Sequence, residues 1–309
     1  MKIAVTGGAG FIGSHIAELA LLQGHEVTVI DSLCHGHRSN LPSEIPLLTF
    51  DVRDPALTEV ISQLAPEVVI HHAAQISVPE SIEHPLHDAS VNILGTLNLL
   101  EACVRTGVRK IIYPASASMF AKIQYLPIDE SHPISFLSPY GVSKQVVEHY
   151  LQVYHALYGL DYTILRYSNV YGPRQDASGE GGVVSIFSQA MLHDSTPVIF
   201  GDGQAARDFL FVNDAAQANL RCLTGFGQET IHVCTGVETS ILQLYELIAG
   251  FTGFSKPPHF GPPRPGDIER SFLSTKKMDQ LLTLPVTPIR QGLSLTIQQM
   301  KTALIQTGH

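Results

Sequence analysis

Tyr140 and Lys144, in Ser-Pro-Tyr-Gly-Val-Ser-Lys at 138–144, are four residues apart. On a helix that spacing puts both side chains on one face. A free tyrosine ionises near pH 10, so acting as a base near neutrality requires about 4 kcal/mol of extra stabilisation of the phenolate. A lysine ammonium one turn away supplies part of that, and a cationic ring bound alongside would supply more. Taken alone, such a pair reads better as surface decoration. Ser116, in Ala-Ser-Ala-Ser, stands just past a predicted strand, where its hydroxyl could share a hydrogen bond with a reacting hydroxyl. In isolation that serine too reads as structural.

The pair gains weight from the chain's start. Residues 7–13 read Gly-Gly-Ala-Gly-Phe-Ile-Gly, a G-x-G-x-x-G pattern directly after a predicted strand and directly opening a predicted helix. Glycines there allow a sharp turn and let a pyrophosphate approach the backbone. The helix N-terminus offers free N–H groups and partial positive charge. Asp31 ends the second predicted strand, the place for a carboxylate that accepts hydrogen bonds from adenosine ribose hydroxyls and repels a 2′-phosphate. NAD is therefore expected over NADP, although Arg38 lies near in sequence. Asp51 and Val52, after the third predicted strand, are candidates to flank the adenine.

These residues need a scaffold. The first half alternates strands at Lys2–Thr6, Glu26–Ile30, Leu47–Asp51, Val68–His71, Lys110–Pro114 and Asp161–Arg166 with helices at Phe11–Gln23, Asp54–Leu64, Ala89–Thr106 and Pro139–Tyr158. Ser138 as N-cap and Pro139 at the first position favour the start of the last helix. The alternation implies an α/β fold, a Rossmann-type doubly wound parallel sheet covered on both faces. After about residue 167 glycine and proline become frequent (Gly179, Gly181-Gly182, Pro257-Pro258, Pro262-Pro263). Shorter helices are expected at Gly182–His193, Asn213–Thr224, Ser240–Gly250 and Arg290–Gln306. We expect an NAD-binding domain over 1–167 and a smaller α/β substrate-binding lobe over 168–309, with some segments returning to the first domain.

Composition narrows the partners. The 309 residues carry 19 Lys+Arg against 28 Asp+Glu, a formal charge of −9, which argues against nucleic acid as the main partner. Hydrophobic residues make up 44%, ample for a core, and no run is long enough to span a membrane. The four cysteines are scattered, and Cys34-His35-Gly36-His37 has no second cluster to complete a metal site. A soluble, cytoplasmic protein without metal is the expectation.

Several ordered motifs carry a resemblance over nearly the whole chain. They are Thr-Gly-Gly-Ala-Gly-Phe-Ile-Gly-Ser-His at 6–15, Asp-Ser-Leu at 31–33, His-His-Ala-Ala-Gln at 71–75, Asn-Ile-Leu-Gly-Thr at 92–96 and 138–144 itself. Further along are Arg-Tyr-Ser-Asn-Val-Tyr-Gly-Pro-Arg at 166–174, Arg-Asp-Phe-Leu-Phe-Val-Asn-Asp at 207–214 and Arg-Pro-Gly-Asp at 264–267. The chain resembles the extended short-chain dehydrogenases/reductases, and among them the UDP-glucose (UDP-galactose) 4-epimerases. The resemblance implies a tightly held NAD contacted by Gly7, Gly10, Phe11, Ile12, Gly13, Asp31, Asp51, Val52, Ala73, Ala74, Tyr140, Lys144 and Tyr167. It implies that Tyr140 takes the proton of the sugar 4-hydroxyl, that Ser116 holds the 4-oxygen, and that Lys144 binds the nicotinamide ribose and depresses the Tyr140 pKa. Asn169, Arg207, Arg264 and Asp267 match positions holding the nucleotide diphosphate and uridine ribose, and a homodimer is implied.

The chain also departs from that pattern. Pro114-Ala115 replaces a Ser-Ser run, and Phe120-Ala121 replaces Tyr-Gly. After Ser116, Ala117-Ser118 lacks the carboxylic acid that related dehydratases and decarboxylases carry, which favours epimerisation. Ser271 matches the position of a bulky sugar-pocket residue, so room for an N-acetyl group is expected. The rival readings are an epimerase of another nucleotide sugar, such as a UDP-uronate, and a non-catalytic NAD-binding module.

Overall fold

The structure, a computed structural model, describes residues 1–177, 182–264 and 267–307. Gly179 and Gly181, and Pro265-Gly266 of the 264–267 motif, lie outside the described residues.

In chain order the first half comprises β1 (Lys2–Thr6), α1 (Phe11–Leu22), β2 (Glu26–Asp31), β3 (Leu47–Thr49), α2 (Leu57–Leu64), β4 (Val68–His71), α3 (Val78–Glu83), α4 (Pro85–Ala89), α5 (Thr96–Thr106), β5 (Lys110–Ser116), α6 (Pro139–Tyr158) and β6 (Asp161–Tyr167). The second half adds β7 (Asn169–Tyr171), α7 (Val183–Leu192), β8 (Val198–Phe200), β9 (Ala206–Phe211), α8 (Val212–Arg221) and β10 (Glu229–Val233). It ends with β11 (Glu238–Ser240), α9 (Ile241–Thr252), β12 (His259–Gly261), β13 (Arg270–Ser271), α10 (Lys276–Leu281) and α11 (Ile289–Thr307).

Seven strands form one parallel sheet in the order β10-β6-β5-β4-β1-β2-β3. Both faces are covered, as a parallel sheet of apolar strands requires. One face packs Ile3, Val5, Val29 and Ile70 against α1 and α8. The other packs Ala4, Val69, Ile111 and Tyr113 against α2, α5 and α6. The strand order reverses between β1 and β4, so a crevice opens at their carboxyl ends, where ligands of such sheets bind. A small sheet, β11-β9-β13 with β7 on β9, and a β12-β8 ribbon stand over that edge. A third core of Phe187, Phe209, Tyr245 and Leu293 packs them against α7, α9 and α11. The Rossmann-type α/β fold expected from the alternation is thus present.

Two predicted elements differ in instructive ways. The single helix expected over 89–106 is two pieces, a π-helical turn over Ser90–Gly95 and α5, with α4 running directly into the turn. Asn92 lies in the wide turn and aims its side chain inward, while its carbonyl accepts from the Thr96 hydroxyl at 2.6 Å. Such turns recur where a helix must redirect a side chain. The strand expected to stop at Pro114 continues to Ser116, pairing with β6 as far as Ser116↔Tyr167. A proline inside a sheet removes a ladder donor. Here the pairing with β4 ends at Ile112, so by Pro114 the strand is flanked by β6 alone.

Candidate functional site

The phosphate loop is built as its glycines require. Gly7 turns at φ +67, and a Cβ there would collide with the backbone of His72 and Ala73. A Cβ on Gly13 would overlap the Gly7 carbonyl oxygen and reach 2.8 Å from the Gly8 Cα. Gly10 is the N-cap of α1, with no side chain capping the helix. The N–H groups of Phe11, Ile12 and Gly13 therefore lead out of the helix toward the crevice, a ready site for an anion. Asp31 is buried beside this loop: Oδ2 accepts from Ala9 N at 2.9 Å and Oδ1 from Leu33 N at 2.8 Å. Each oxygen keeps a second lone pair for a ribose hydroxyl. Arg38 does not stand ready for a 2′-phosphate, because its guanidinium donates to the Pro42 and Ser43 carbonyls at 3.1 Å each. These features fit NAD.

The other cofactor-side residues divide. Ala73 follows β4, its amide donating to Thr6 Oγ1 at 3.3 Å, and Ala74 is the next residue. Asp51 is engaged by Arg53 through Nε at 3.0 Å and a terminal nitrogen at 2.6 Å, which holds its carboxyl below the usual range. Val52 is buried, and its carbonyl accepts from Asn98 at 2.8 Å. Tyr167 is also buried; its ring stacks on His72 with centroids 6.1 Å apart, and its hydroxyl accepts from Asn219.

Ser116 and Tyr140 meet where β5 ends and α6 begins. The Ser138 hydroxyl caps α6 by accepting from Gly141 N at 3.2 Å, which fixes the turn carrying Tyr140. The Ser116 hydroxyl accepts from Ser118 N at 3.2 Å and faces the phenol closely enough to favour its ionisation. Lys144 extends beneath, buried, with Nζ 4.5 Å from the centre of the Tyr113 ring. Burial pushes Tyr140 up to about 12, the Asp88 carboxylate adding to the effect, and burial pulls Lys144 down to about 7. In the protein alone burial outweighs the lowering that the Ser116 hydrogen bond provides. Forming the phenolate at neutral pH needs about 7 kcal/mol more stabilisation.

Two of the substrate-side candidates, Asn169 and Arg207, share the small sheet. Asn169 opens β7 and donates to the Asp208 carbonyl at 3.1 Å. Arg207 on β9 pairs in register with Ser271 of β13, and its guanidinium donates to the Ala206 carbonyl at 2.9 Å. Burial lowers the Arg207 pKa, with Asp267 opposing. Asp267 N donates to the Arg264 carbonyl at 3.2 Å, and the Asp267 carboxylate is near enough to Arg207 to act on its charge. The Arg264 guanidinium itself rests 3.7 Å over the Phe200 ring rather than against Asp267. Phe120, one of the departures, is buried edge-on to His132 and His232 at 5.5 and 5.7 Å. It is a core residue, not a pocket wall.

Asn92, which on the sequence sits on an apolar helix stripe and is read as bonding backbone near the active site, does so, but the buried polar network around it under α6 escaped the sequence reading. Asn92 Oδ1 accepts from Gln75 N at 2.9 Å, and its Nδ2 donates to Gln75 O at 3.0 Å, Asp88 Oδ1 at 3.0 Å and Ser143 Oγ at 3.1 Å. The spacing of Asp88, Asn92 and Thr96, four apart on an otherwise apolar stretch, was the signal that could have found it. Among the described residues, no group of three His, Cys, Asp or Glu could hold a metal ion, and no helix is long and apolar enough to cross a membrane.

Comparison with known proteins places this geometry. A putative UDP-glucose 4-epimerase of Methanocaldococcus jannaschii is 43% identical over 300 residues, covering 97% of this chain and 98% of that protein. The crystal structure of UDP-glucose 4-epimerase from Thermotoga maritima with UDP-glucose has a TM-score of 0.96 at 39% identity, covering 98% of this chain and 100% of that one. UDP-N-acetylglucosamine 4-epimerase from Methanobrevibacter ruminantium, in complex with UDP-N-acetylmuramic acid, has a TM-score of 0.93 at 33% identity, covering 98% of each chain. Residues 3–234 match the NAD dependent epimerase/dehydratase family, and the chain belongs to it.

Proposed function

We propose that the protein is an NAD-dependent 4-epimerase of UDP-hexoses, UDP-glucose and UDP-galactose first. The observation that carries this reading is the convergence of Ser116 and Tyr140 at the end of β5, opposite the glycine loop, with Lys144 beneath. Bound NAD supplies a hydride acceptor and donor and a positive charge beside Tyr140. The chain's residues do the rest. Ser116 holds the sugar 4-oxygen, and Tyr140 takes the 4-hydroxyl proton and returns it. Lys144 binds the nicotinamide ribose. Arg207 and Arg264 clamp the diphosphate by charge-assisted hydrogen bonds, with Asn169 and Asp267 holding the nucleoside side. The sugar beyond the clamp stays free to present either face. Glycine loop, Asp31, Ala73, Ala74 and Tyr167 form the NAD side.

Ala117 and Ser118 begin a 3-10 turn and provide no carboxylic acid for elimination, which supports epimerisation over dehydration. Ser271, half-buried beside Arg207, supports acceptance of N-acetylated UDP-hexoses as well. We assign NAD binding mainly to residues 1–167 and choice of the sugar nucleotide mainly to 168–309. A homodimer fits the exposed apolar side chains Val153, Leu157 and Tyr158 on α6 and Leu94 in the π turn. A cytoplasmic setting accords with four free cysteines.

The test is direct. Purified protein should interconvert UDP-glucose and UDP-galactose without added cofactor. A panel adding UDP-N-acetylglucosamine and UDP-glucuronate reads the substrate range. Turnover of the uronate alone overturns the hexose assignment. Failure of UDP-N-acetylglucosamine while UDP-galactose reacts overturns the role given to Ser271.

A further inference from the structure

Beneath the Tyr140–Lys144 turn lies a carboxylate that the proposed chemistry does not use. Asp88, in α4, is 1% exposed. Its Oδ1 accepts from Gln75 Nε2 at 3.2 Å and Asn92 Nδ2 at 3.0 Å. Ser143, the neighbour of Lys144, is joined to Asp88 through Asn92, whose Nδ2 donates to the Ser143 hydroxyl at 3.1 Å, and that hydroxyl donates to the Tyr140 carbonyl at 3.1 Å. Three segments distant in sequence thus converge on one buried acid directly under the catalytic turn.

A carboxylate out of water is costly unless a cation or several donors compensate it. Among the described residues neither Asp88 nor Lys144 forms an ion pair within 4.0 Å. The other charges of this layer are already matched: Arg166 donates to Glu148 through Nε at 2.9 Å and a terminal nitrogen at 2.6 Å. The remaining groups facing Lys144 are His71 at the end of β4 and His72 after it, Tyr113 on β5, and Tyr140 and Glu148 on its own helix. Burial holds both histidines neutral, with pKa values lowered to about 3, and keeps the Tyr113 phenol protonated. With His87, the neighbour of Asp88, lying 3.6 Å from Glu80, Asp88 and Lys144 are left as the two unmatched charges of this buried layer.

We propose that Asp88 is the counter-charge of Lys144, a positioning residue that keeps the lysine protonated beside Tyr140 and is itself fixed under the Tyr140–Lys144 turn through Asn92 and Ser143. This rests on the roles given above to Tyr140 and Lys144. The direction is set by charge. The Asp88 carboxylate favours the ammonium, and burial of Lys144 opposes it. Asp88→Asn keeps the shape and an acceptor for Asn92 while removing the charge.

The experiment is an NMR titration of NAD-loaded protein carrying ε-13C-lysine, with the Lys144 resonance assigned by its loss in Lys144→Met. In Asp88→Asn the Lys144 midpoint should fall by about one pH unit, a tenfold weaker hold on the proton. Asp88→Glu, which restores the charge, should bring the midpoint back toward that of the unmodified chain. A reciprocal measurement needs no Asp88 variant to fold. Lys144→Met should raise the midpoint of Asp88 protonation, followed by γ-13C-aspartate, by the same interval. A Lys144 midpoint unmoved in Asp88→Asn, or an Asp88 midpoint unmoved in Lys144→Met, overturns the proposal. Because these titrations read no turnover, their failure is separate from failure of the epimerase reading. Activity adds a third readout: the alkaline limb of kcat against pH should move to lower pH in Asp88→Asn, whereas a merely structural residue would lower kcat evenly across pH.

Discussion

Tyr140 is held as a neutral phenol by the protein alone, pushed up to about 12 by its burial. Its hydroxyl is therefore a proton donor at rest and becomes a base only when further positive charge arrives. Tyr140→Phe removes one oxygen and leaves α6, its cap and Lys144 in place. We expect kcat for UDP-galactose to fall roughly 10²–10⁴-fold, the usual worth of a positioned acid–base group. Retention of NAD, read by absorbance of the purified protein, should stay unchanged. Undiminished turnover in this variant would remove Tyr140 from the mechanism. The residue scale is also where the sequence was most informative. Ser116, Tyr140 and Asp31 could be singled out because each sits beside a strand end or helix start that punctuation already marks. Asp88 could not. Its four-residue spacing from Asn92 hints at a shared face, but only the fold shows that this face meets Gln75 and Ser143, which come from distant segments.

At the scale of elements, the β1–α1–β2 unit was legible because glycines bound it on both sides and its strands are continuous apolar runs. The π turn at 90–95 was not, because Val91, Leu94 and Leu97 satisfy a regular helical stripe and nothing local marks the extra residue per turn. The strands over the active edge were missed for another reason. β7, β8, β11, β12 and β13 have two or three residues each, too few for any alternation to show. The phosphate loop gives a prediction that separates its glycines. An alanine Cβ at Gly13 would overlap the Gly7 carbonyl oxygen, a backbone atom that cannot swing away. At Gly10 the nearest heavy atom would be the same oxygen at 3.2 Å. Gly13→Ala should therefore lose NAD on purification and unfold at lower temperature. Gly10→Ala should fold with a Tm near that of the unmodified chain, any loss being confined to NAD retention. Paired thermal melts with absorbance ratios check this, and equal damage at the two positions would mean that the loop is softer than its packing implies.

For the whole molecule, stability should depend on pH through histidines the sheet has swallowed. His71 and His232 are 1% and 0% exposed, and burial lowers both to about 3. His71 is held between Thr6 Oγ1 at 2.6 Å and Thr96 Oγ1 at 2.9 Å, and His232 Nδ1 lies 3.2 Å from the Ile128 carbonyl. In the unfolded chain each takes up a proton near pH 6.5. Above that pH neither state binds the proton and no stability is at stake. Below it the unfolded chain gains protons that the native chain refuses, so stability is lost as pH falls from 6.5 toward 3. The slope is about 1.4 kcal/mol per pH unit for each histidine, or about 2.7 for the two. Asp88, Asp208 and Asp214, which burial holds above the usual carboxylate range, act in the opposite sense nearer their own range. The window from pH 6.5 to 5 and a difference between variants therefore isolate the histidines. Urea unfolding at pH 6.5, 6 and 5 should show the unmodified chain losing stability steeply. His232→Asn should lose it more gently by about 1.4 kcal/mol per pH unit. Parallel slopes in the two proteins would show that His232 takes up its proton in the native state, and that the core around Phe120 and Arg166 admits a charge its packing argues against.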